Sequence, residues 1–238
     1  MAAWNAIHRK LTTSDSTGMI VVWVHHRGKW LEEMINNRSS TVVVDMHWNA
    51  EGKEICIAYR DGHVIVGGVK GNRLWGKNLG YELSKVAWSP DCRTLLFVTA
   101  DSQVHTYTRE GMRTGTMRLA GAPEGDPAAA GKLDPINAVD WYDGAEGYED
   151  PSAPSLAFAF SSGRLQLCRS TTDDEPVLLE SGLDVRQVVW NCAGTVLAVA
   201  GVSQRGRQAG AASGGGGLLP GAGPATGGIP EAGSPSVV

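Results

Sequence analysis

No apolar run in this 238-residue chain approaches the ~18 residues that a helix needs to cross a membrane. The polar, basic stretch from Asn5 to Lys10 leaves no space for the apolar segment of a secretory leader. The expected setting is the cytosol. A basic excess is missing as well: 21 Lys and Arg stand against 25 Asp and Glu, a formal net charge of −4. That balance argues against nucleic acid as the main partner. The four cysteines, Cys56, Cys92, Cys168 and Cys192, lack paired spacing. This excludes a disulfide framework or zinc site and fits small buried hydrophobes in a reducing compartment.

The usual constellations of catalysis are also missing. There is no Gly-x-Ser-x-Gly elbow, no Cys–His pair and no carboxylate pair in a supporting context. His25 and His26 are adjacent, so a strand points them to opposite faces, with no Cys or carboxylate at ligand spacing. His47, His63 and His105 fall in separate strands or turns. Gly71-Asn72-Arg73-Leu74-Trp75-Gly76-Lys77-Asn78 nearly spells a phosphate-binding loop. Asn78, however, lacks the hydroxyl that would ligate magnesium, and no helix follows to aim N–H groups at a phosphate. The reading is a turn at Gly71-Asn72 and an outer strand after it. No enzyme, cofactor or metal is expected.

What is present is a repeat. Trp4, Trp48, Trp88, Trp141 and Trp190 are each followed by Asn, Ser or Tyr, at gaps of 44, 40, 53 and 49 residues. The first two gaps match the period of a propeller blade. Around Trp48, alternation over Val42–Trp48 is followed by the Asn49–Gly52 turn, Glu54–Tyr59, the Asp61-Gly62 turn, His63–Val69 and Arg73–Lys77. Four antiparallel strands in about 40 residues make one blade. The next unit reads Leu83–Trp88, Thr94–Thr99, Gln103–Thr108 and Arg113–Arg118. A third reads Ile136–Trp141, Ser155–Phe160, Arg164–Arg169 and Pro176–Glu180, stretched by insertions at Ala120–Pro135 and Asp143–Pro154.

The fold class is therefore all-β: an incomplete WD-repeat-type β-propeller over residues 1–203, with a Gly/Pro-rich tail over 204–238. From Gly206 onward there are 11 Gly and 4 Pro with only Arg207 and Glu231 charged, a composition read as disordered. Three whole blades flanked by two partial ones, about 17 strands, are expected, with no well-formed inner strand before Lys10. The repeated Trp residues are read as wedges between blades, each burying roughly 150–250 Å². Asp15, Asp61 and Asp101 recur at the second turn of their units, where Asp hydrogen-bonds turn N–H groups. Charge is uneven: residues 1–119 hold 15 Lys/Arg and 11 Asp/Glu (+4), and 120–238 hold 6 and 14 (−8). Five acids between Asp140 and Asp150 read as a solvated loop, with a dock for a basic partner or a cation as the alternative.

The pattern resembles a degenerate WD-repeat propeller. It lacks the Gly-His and Trp-Asp signatures but keeps Trp23 and Tyr107 where the third-strand aromatic stands. Six stretches carry a more specific likeness: Lys10-Leu11-Thr12-Thr13-Ser14-Asp15, Val22-Trp23, Glu32-Glu33-Met34-Ile35-Asn36-Asn37-Arg38, Asp61-Gly62, Val64-Ile65-Val66-Gly67 and Gly71–Lys77. Together they resemble the WD-repeat subunits of intraflagellar transport complex A. Glu146-Gly147-Tyr148 and Leu197–Gly201 extend the likeness. That family has two N-terminal propellers and a helical solenoid, so the chain would correspond to the middle of the first propeller.

The resemblance implies a non-catalytic scaffold in retrograde ciliary transport, ciliary membrane-protein delivery and cilium assembly. Its partners would be other complex A subunits and ciliary cargo proteins, in the cytoplasm, cilium or flagellum, and basal body. A tubby-like protein with WD repeats shares Lys10-Leu11 and Arg60-Asp61-Gly62; it would imply a ubiquitin-ligase substrate adaptor or a phosphoinositide-linked role. The Glu32–Arg38 run favours the transport family. Within that run, Trp30, Asn36, Asn37 and Arg38 are the candidate partner contacts, on a segment read either as a contact loop or as blade-connecting structure.

Overall fold

The computed structural model describes residues 1–37, 41–120, 134–144, 150 and 152–203. Among these, eighteen β-strands build five antiparallel sheets. The first holds β1 (Ala2–Asn5), β2 (Lys10–Ser14), β3 (Met19–His26) and β4 (Lys29–Asn37). The second holds β5 (Val43–Trp48), β6 (Glu54–Tyr59), β7 (His63–Gly68) and β8 (Arg73–Asn78). The third holds β9 (Leu83–Trp88), β10 (Thr94–Thr99), β11 (Val104–Thr108) and β12 (Arg113–Met117). The fourth holds β13 (Ile136–Trp141), β14 (Leu156–Phe160), β15 (Arg164–Cys168) and β16 (Val177–Glu180), and the fifth pairs β17 (Leu183–Trp190) with β18 (Leu197–Ser203).

The strands are up-and-down in sequence order within each sheet, and the sheets stack in chain order through their first strands: β1 on β5, β5 on β9, β9 on β13, β13 on β17. This is a propeller arc. No comparable packing joins β17 back to β1 among the described residues.

Burial explains the composition of each strand. In the three middle sheets the second strand is covered on both faces, so Glu54–Tyr59 and Leu156–Phe160 are buried throughout and Thr94–Thr99 all but its first residue. Such strands read as near-continuous apolar runs instead of alternating. In the outer sheets the second strand has one covered face, and β18 alternates half-buried and exposed accordingly. The outermost strands β4, β8, β12 and β16 are mostly exposed. Four apolar clusters fill the four interfaces: Ile20 with Ile55 and Ile57, Val64 and Val66 with Trp88 and Leu95, Leu96 and Val98 with Leu156 and Phe158, and Ala159 with Val185 and Val188.

Two expectations are corrected. The first sheet is complete, because Ala2–Asn5 pairs residue for residue with Lys10–Thr13. That makes four whole sheets and one two-stranded sheet, in place of three whole units and two partial ones. Two alanines carry little strand propensity, and it is the cross-strand pairing that makes β1 a strand. The second correction concerns Trp30 to Asn37, the described part of the candidate contact segment, which is no loop. Lys29–Asn37 is strand β4, paired with β3 from Met19↔Asn37 to His26↔Lys29. The region 204–238, most of the first insertion (121–133) and half of the second (145–149 and 151) lie outside the described residues.

The turns follow the expected chemistry in two of three cases. Asp15 Oδ1 accepts from the N–H of Thr17 and of Met19, and Asp61 Oδ1 from the N–H of His63. Asp101 instead accepts from the Thr99 hydroxyl and from Gln103 Nε2, while Thr99 Oγ1 takes the Gln103 N–H. Gly71, with φ at +86°, turns β7 into β8, so the near-phosphate-loop sequence is a hairpin.

Candidate functional site

Trp48, Trp88, Trp141 and Trp190 end their inner strands and Trp4 is the last residue but one of β1, but their surroundings differ. Trp88 is 6% exposed, packed between the second and third sheets, and its Nε1–H donates to the His47 carbonyl of β5 at 3.1 Å. Trp48 packs against the cluster between the first two sheets, and Trp141 against that between the third and fourth. Trp190 is half-buried. Trp4 is 53% exposed, which corrects the wedge reading at that position. A Trp on β5, β9 or β13 leans on the preceding sheet, whereas Trp4 packs against no earlier sheet among the described residues. Trp4 meets Trp30 edge-on instead, at 6.4 Å between ring centroids.

At the ends of β5, β9, β13 and β17 lies a cavity of about 390 Å³ lined by His47, Trp48, Trp88, Asp140, Trp141 and Trp190, among others. Four sheets thus contribute to one mouth. Backbone of the neighbouring inner strands is held there by carboxylates. Asp45 Oδ2 accepts the Val86 N–H at 3.0 Å, and Asp140 Oδ2 accepts the Trp190 N–H at 2.7 Å. Asp45 also faces His47 Nε2 at 3.4 Å. Burial pushes the Asp45 carboxyl up, yet the hydrogen bond and charge of His47 outweigh it and hold the group below its ordinary range. The same partner holds His47 above its ordinary value against its own burial. Burial pushes Asp140 up, helped by the charge of Asp143, and the Trp190 N–H only partly offsets it. Asp45 does not stand out in the sequence beyond being the one acid of its inner strand, and Asp140, counted there with the acidic loop that runs to Asp150, is corrected to a strand residue of β13 whose carboxylate holds the next sheet.

A second latch joins the outer parts of two sheets. Arg109 Nε lies 2.9 and 3.0 Å from the two Glu54 carboxylate oxygens, with a second guanidinium nitrogen 2.5 Å from one of them. Trp75 Nε1–H donates to the Arg109 carbonyl at 2.7 Å, and the Lys77 ammonium binds the Gly111 carbonyl and sits 5.0 Å from the Tyr107 ring.

The candidate contact residues sit on the outermost strand of the first sheet. Trp30, Leu31 and Ile35 are each about half exposed, at 49%, 46% and 55%. Trp30 also lies 5.2 Å from the His25 ring. Asn37 is exposed, whereas Asn36 is half-buried and lines an apolar cleft of about 250 Å³ between the first two sheets, beside Met34 and Trp48. Arg38 lies outside the described residues. Strand β4 thus brings Trp30 and Ile35 to one exposed strip and turns Asn36 inward.

Comparison with known proteins places this geometry in a family. The WDR35/TULP4 N-terminal β-propeller profile matches residues 1–213. Human WD repeat-containing protein 35 is 46% identical over 209 residues, covering 87% of this chain and 17% of that protein. Mouse Tubby-related protein 4 is 31% identical over 223 residues, covering 86% of this chain and 14% of that protein. The chain therefore spans less than a fifth of the curated relatives it matches. The crystal structure of the Myceliophteria thermophila Cps50 (Swd1) beta-propeller domain superposes with a TM-score of 0.64 at 15% identity, over 84% of this chain and 61% of that one, which shows the shared fold. On sequence and architecture together, the chain belongs to the WDR35/TULP4 N-terminal β-propeller family.

Proposed function

We propose that this propeller arc serves as a non-catalytic protein-interaction scaffold of intraflagellar transport complex A. Its role would lie in retrograde ciliary transport, delivery of membrane-protein cargo into cilia and cilium assembly. The observation that carries this reading is the 46% identity to WD repeat-containing protein 35 over most of the chain, against 31% to Tubby-related protein 4. Its partners would be other complex A subunits and ciliary cargo, met in the cytoplasm, at the basal body and in the cilium or flagellum. Within the arc, strands are consumed by packing, so contacts fall to turns, mouths and outer strands. The exposed strip of Trp30 and Ile35, with Asn37 at its end, is one such surface, since exposed aromatics are frequent interface anchors, and Arg38, a candidate from the sequence alone, is next in the chain. Asn36 contributes from the cleft behind it.

Affinity capture of tagged full-length chain from ciliated cells tests the assignment. Co-purification with complex A subunits supports it; recovery with ubiquitin-ligase components instead selects the tubby-like adaptor reading. Trp30→Ala and Asn37→Ala are expected to weaken capture while leaving the circular dichroism spectrum unchanged.

A further inference from the structure

We infer that the outer edge of strand β16 docks an extended segment of a protein partner, apolar in its middle and basic at its two ends, which joins the fourth sheet as an added strand. The inference rests on the scaffold reading above and gives it a surface apart from β4.

The outermost strands of the four complete sheets share one liability and meet it differently. An unpaired edge offers N–H and C=O groups to any passing chain, and charged side chains are a usual defence. Strand β4 carries Lys29, Glu32 and Glu33, β8 carries Arg73 and Lys77, and β12 carries Arg113. Strand β16 reads Val177-Leu178-Leu179-Glu180, with no charge before its last residue. Its three apolar residues are 43%, 50% and 46% exposed. A run of open apolar side chains on an edge adds little to the packed core and invites pairing, which marks a surface built to be covered.

Burial ends one strand inward. Leu179 and Leu178 stand opposite Leu165 and Gln166 of β15, which are buried. Successive side chains of β16 point to opposite faces, so the open apolar surface lies on both faces of the sheet. A helix laid on one face would leave the other bare. A strand added at the edge brings side chains to both, as in recognition by strand addition. Every second residue of β16 turns its N–H and C=O away from β15 and supplies the backbone bonds for it. Pro176, just before the strand, has no N–H, so the donor row starts within β16.

Charge selects the partner. Asp174 lies before the apolar stretch and Glu180 closes it, and both are exposed. Neither side chain has a hydrogen bond or ion pair among the described residues. The neighbouring cations are engaged. Arg169 grips Asp173 through Nε and a second guanidinium nitrogen, each at 3.0 Å, and also feels the charge of Glu175. Arg164 lies 4.4 Å from the centre of the Phe160 ring. A segment with a basic residue at each end of an apolar middle meets the carboxylates of Asp174 and Glu180, and one with acidic ends is repelled.

The test is fluorescence anisotropy of a labelled, capped peptide, Lys-Val-Val-Val-Thr-Thr-Lys, titrated with the full chain. In antiparallel register it sets one lysine opposite Glu180, the valines opposite Leu179, Leu178 and Val177, and the other lysine opposite Asp174. This peptide is expected to bind. Its counterpart with glutamate at both ends should bind about tenfold less tightly, and a version N-methylated at the valines, which lacks those backbone donors, not measurably. Leu178→Lys should weaken the lysine peptide by about tenfold and Glu180→Gln by about threefold. Both positions are exposed, so the circular dichroism spectrum should not change. Equal binding of the lysine and glutamate peptides or of the plain and N-methylated ones, unchanged affinity in Leu178→Lys, or no binding at all overturns the site. Self-association of the chain that Leu178→Lys abolishes, with no peptide bound, gives the edge to a second copy and overturns it too. If tagged chain captures partners from ciliated cells while the peptide does not bind, the scaffold reading stands and the edge fails. If the peptide binds and no partner is captured, the edge stands and the scaffold reading falls.

Discussion

The Trp88 indole N–H donates to the carbonyl of His47, one sheet away, at 3.1 Å. A single side chain thus both fills the interface and closes a backbone acceptor on the neighbouring inner strand. Trp4 holds the same place in its own sheet and does neither. Trp88→Ala is expected to cost about 3–5 kcal/mol, the usual loss for a buried large aromatic. Trp4→Ala should cost about 1 kcal/mol or less, as for an exposed ring with one edge-on contact. Urea denaturation of the two variants checks this, and equal losses would show that the wedge does not depend on a preceding sheet.

Arg109 and Glu54 form a forked pair in which the Glu54 side chain is 9% exposed and that of Arg109 is 38% exposed. Removing the guanidinium strands a nearly buried carboxylate. Arg109→Ala should destabilise by about 1–3 kcal/mol, and Arg109→Lys should recover only part of it, because an ammonium cannot reproduce the fork. Thermal denaturation of both variants reads the difference, and full recovery by lysine would reduce the latch to a simple charge contact.

Gly62 and Gly80 share nearly the same backbone, φ +87° and +86°. A Cβ on Gly62 would stand 2.5 Å from the Tyr81 carbonyl oxygen, whereas one on Gly80 meets nothing within 4 Å. Gly80→Ala should therefore cost only the left-handed strain, about 1 kcal/mol, and Gly62→Ala clearly more. Chemical denaturation of the pair separates backbone strain from close packing of the second turn on the third sheet.

The Asp45–His47 contact makes a prediction about pH. Asp45 sits below its ordinary 3.8 in the folded chain, so its stabilisation is present above that value and fades as pH falls through the folded value. His47 sits above its ordinary 6.5, so its share is full below that value and fades as pH rises through the folded one. The coupling between them is thus greatest from about pH 4 to 6.5. Asp140 adds to the elevation of His47, and Lys85 opposes it. A double-mutant cycle with Asp45→Asn and His47→Gln should show a clear coupling at about pH 5 that shrinks by about pH 9. A coupling independent of pH would mean that the two groups do not interact as charges.

Much of the arc is legible in the chain itself. The spans Glu54–Tyr59, Leu83–Trp88, Thr94–Thr99 and Ile136–Trp141 coincide with strands β6, β9, β10 and β13, because alternation, dense apolar runs and Gly or Asp turns are local signals. Lys29–Asn37 was harder to read, because its charged and amide-bearing residues suit an exposed outer strand as well as a loop. Only pairing with β3 distinguishes the two. The mouth was illegible for a different reason: Asp140 and His47 stand 93 positions apart in the sequence, and nothing local says that both line one cavity.

The sequence by itself determined the strand repeat, most turn positions and the tryptophans that close β5, β9, β13 and β17, since each depends on residues a few places apart. Only the tertiary structure decided which tryptophans are covered, which carboxylates hold a neighbouring sheet, and that four indoles share a cavity with Asp140. Those outcomes depend on which sheet stacks on which, and a side chain's burial and charge are set by neighbours that the chain brings together only on folding.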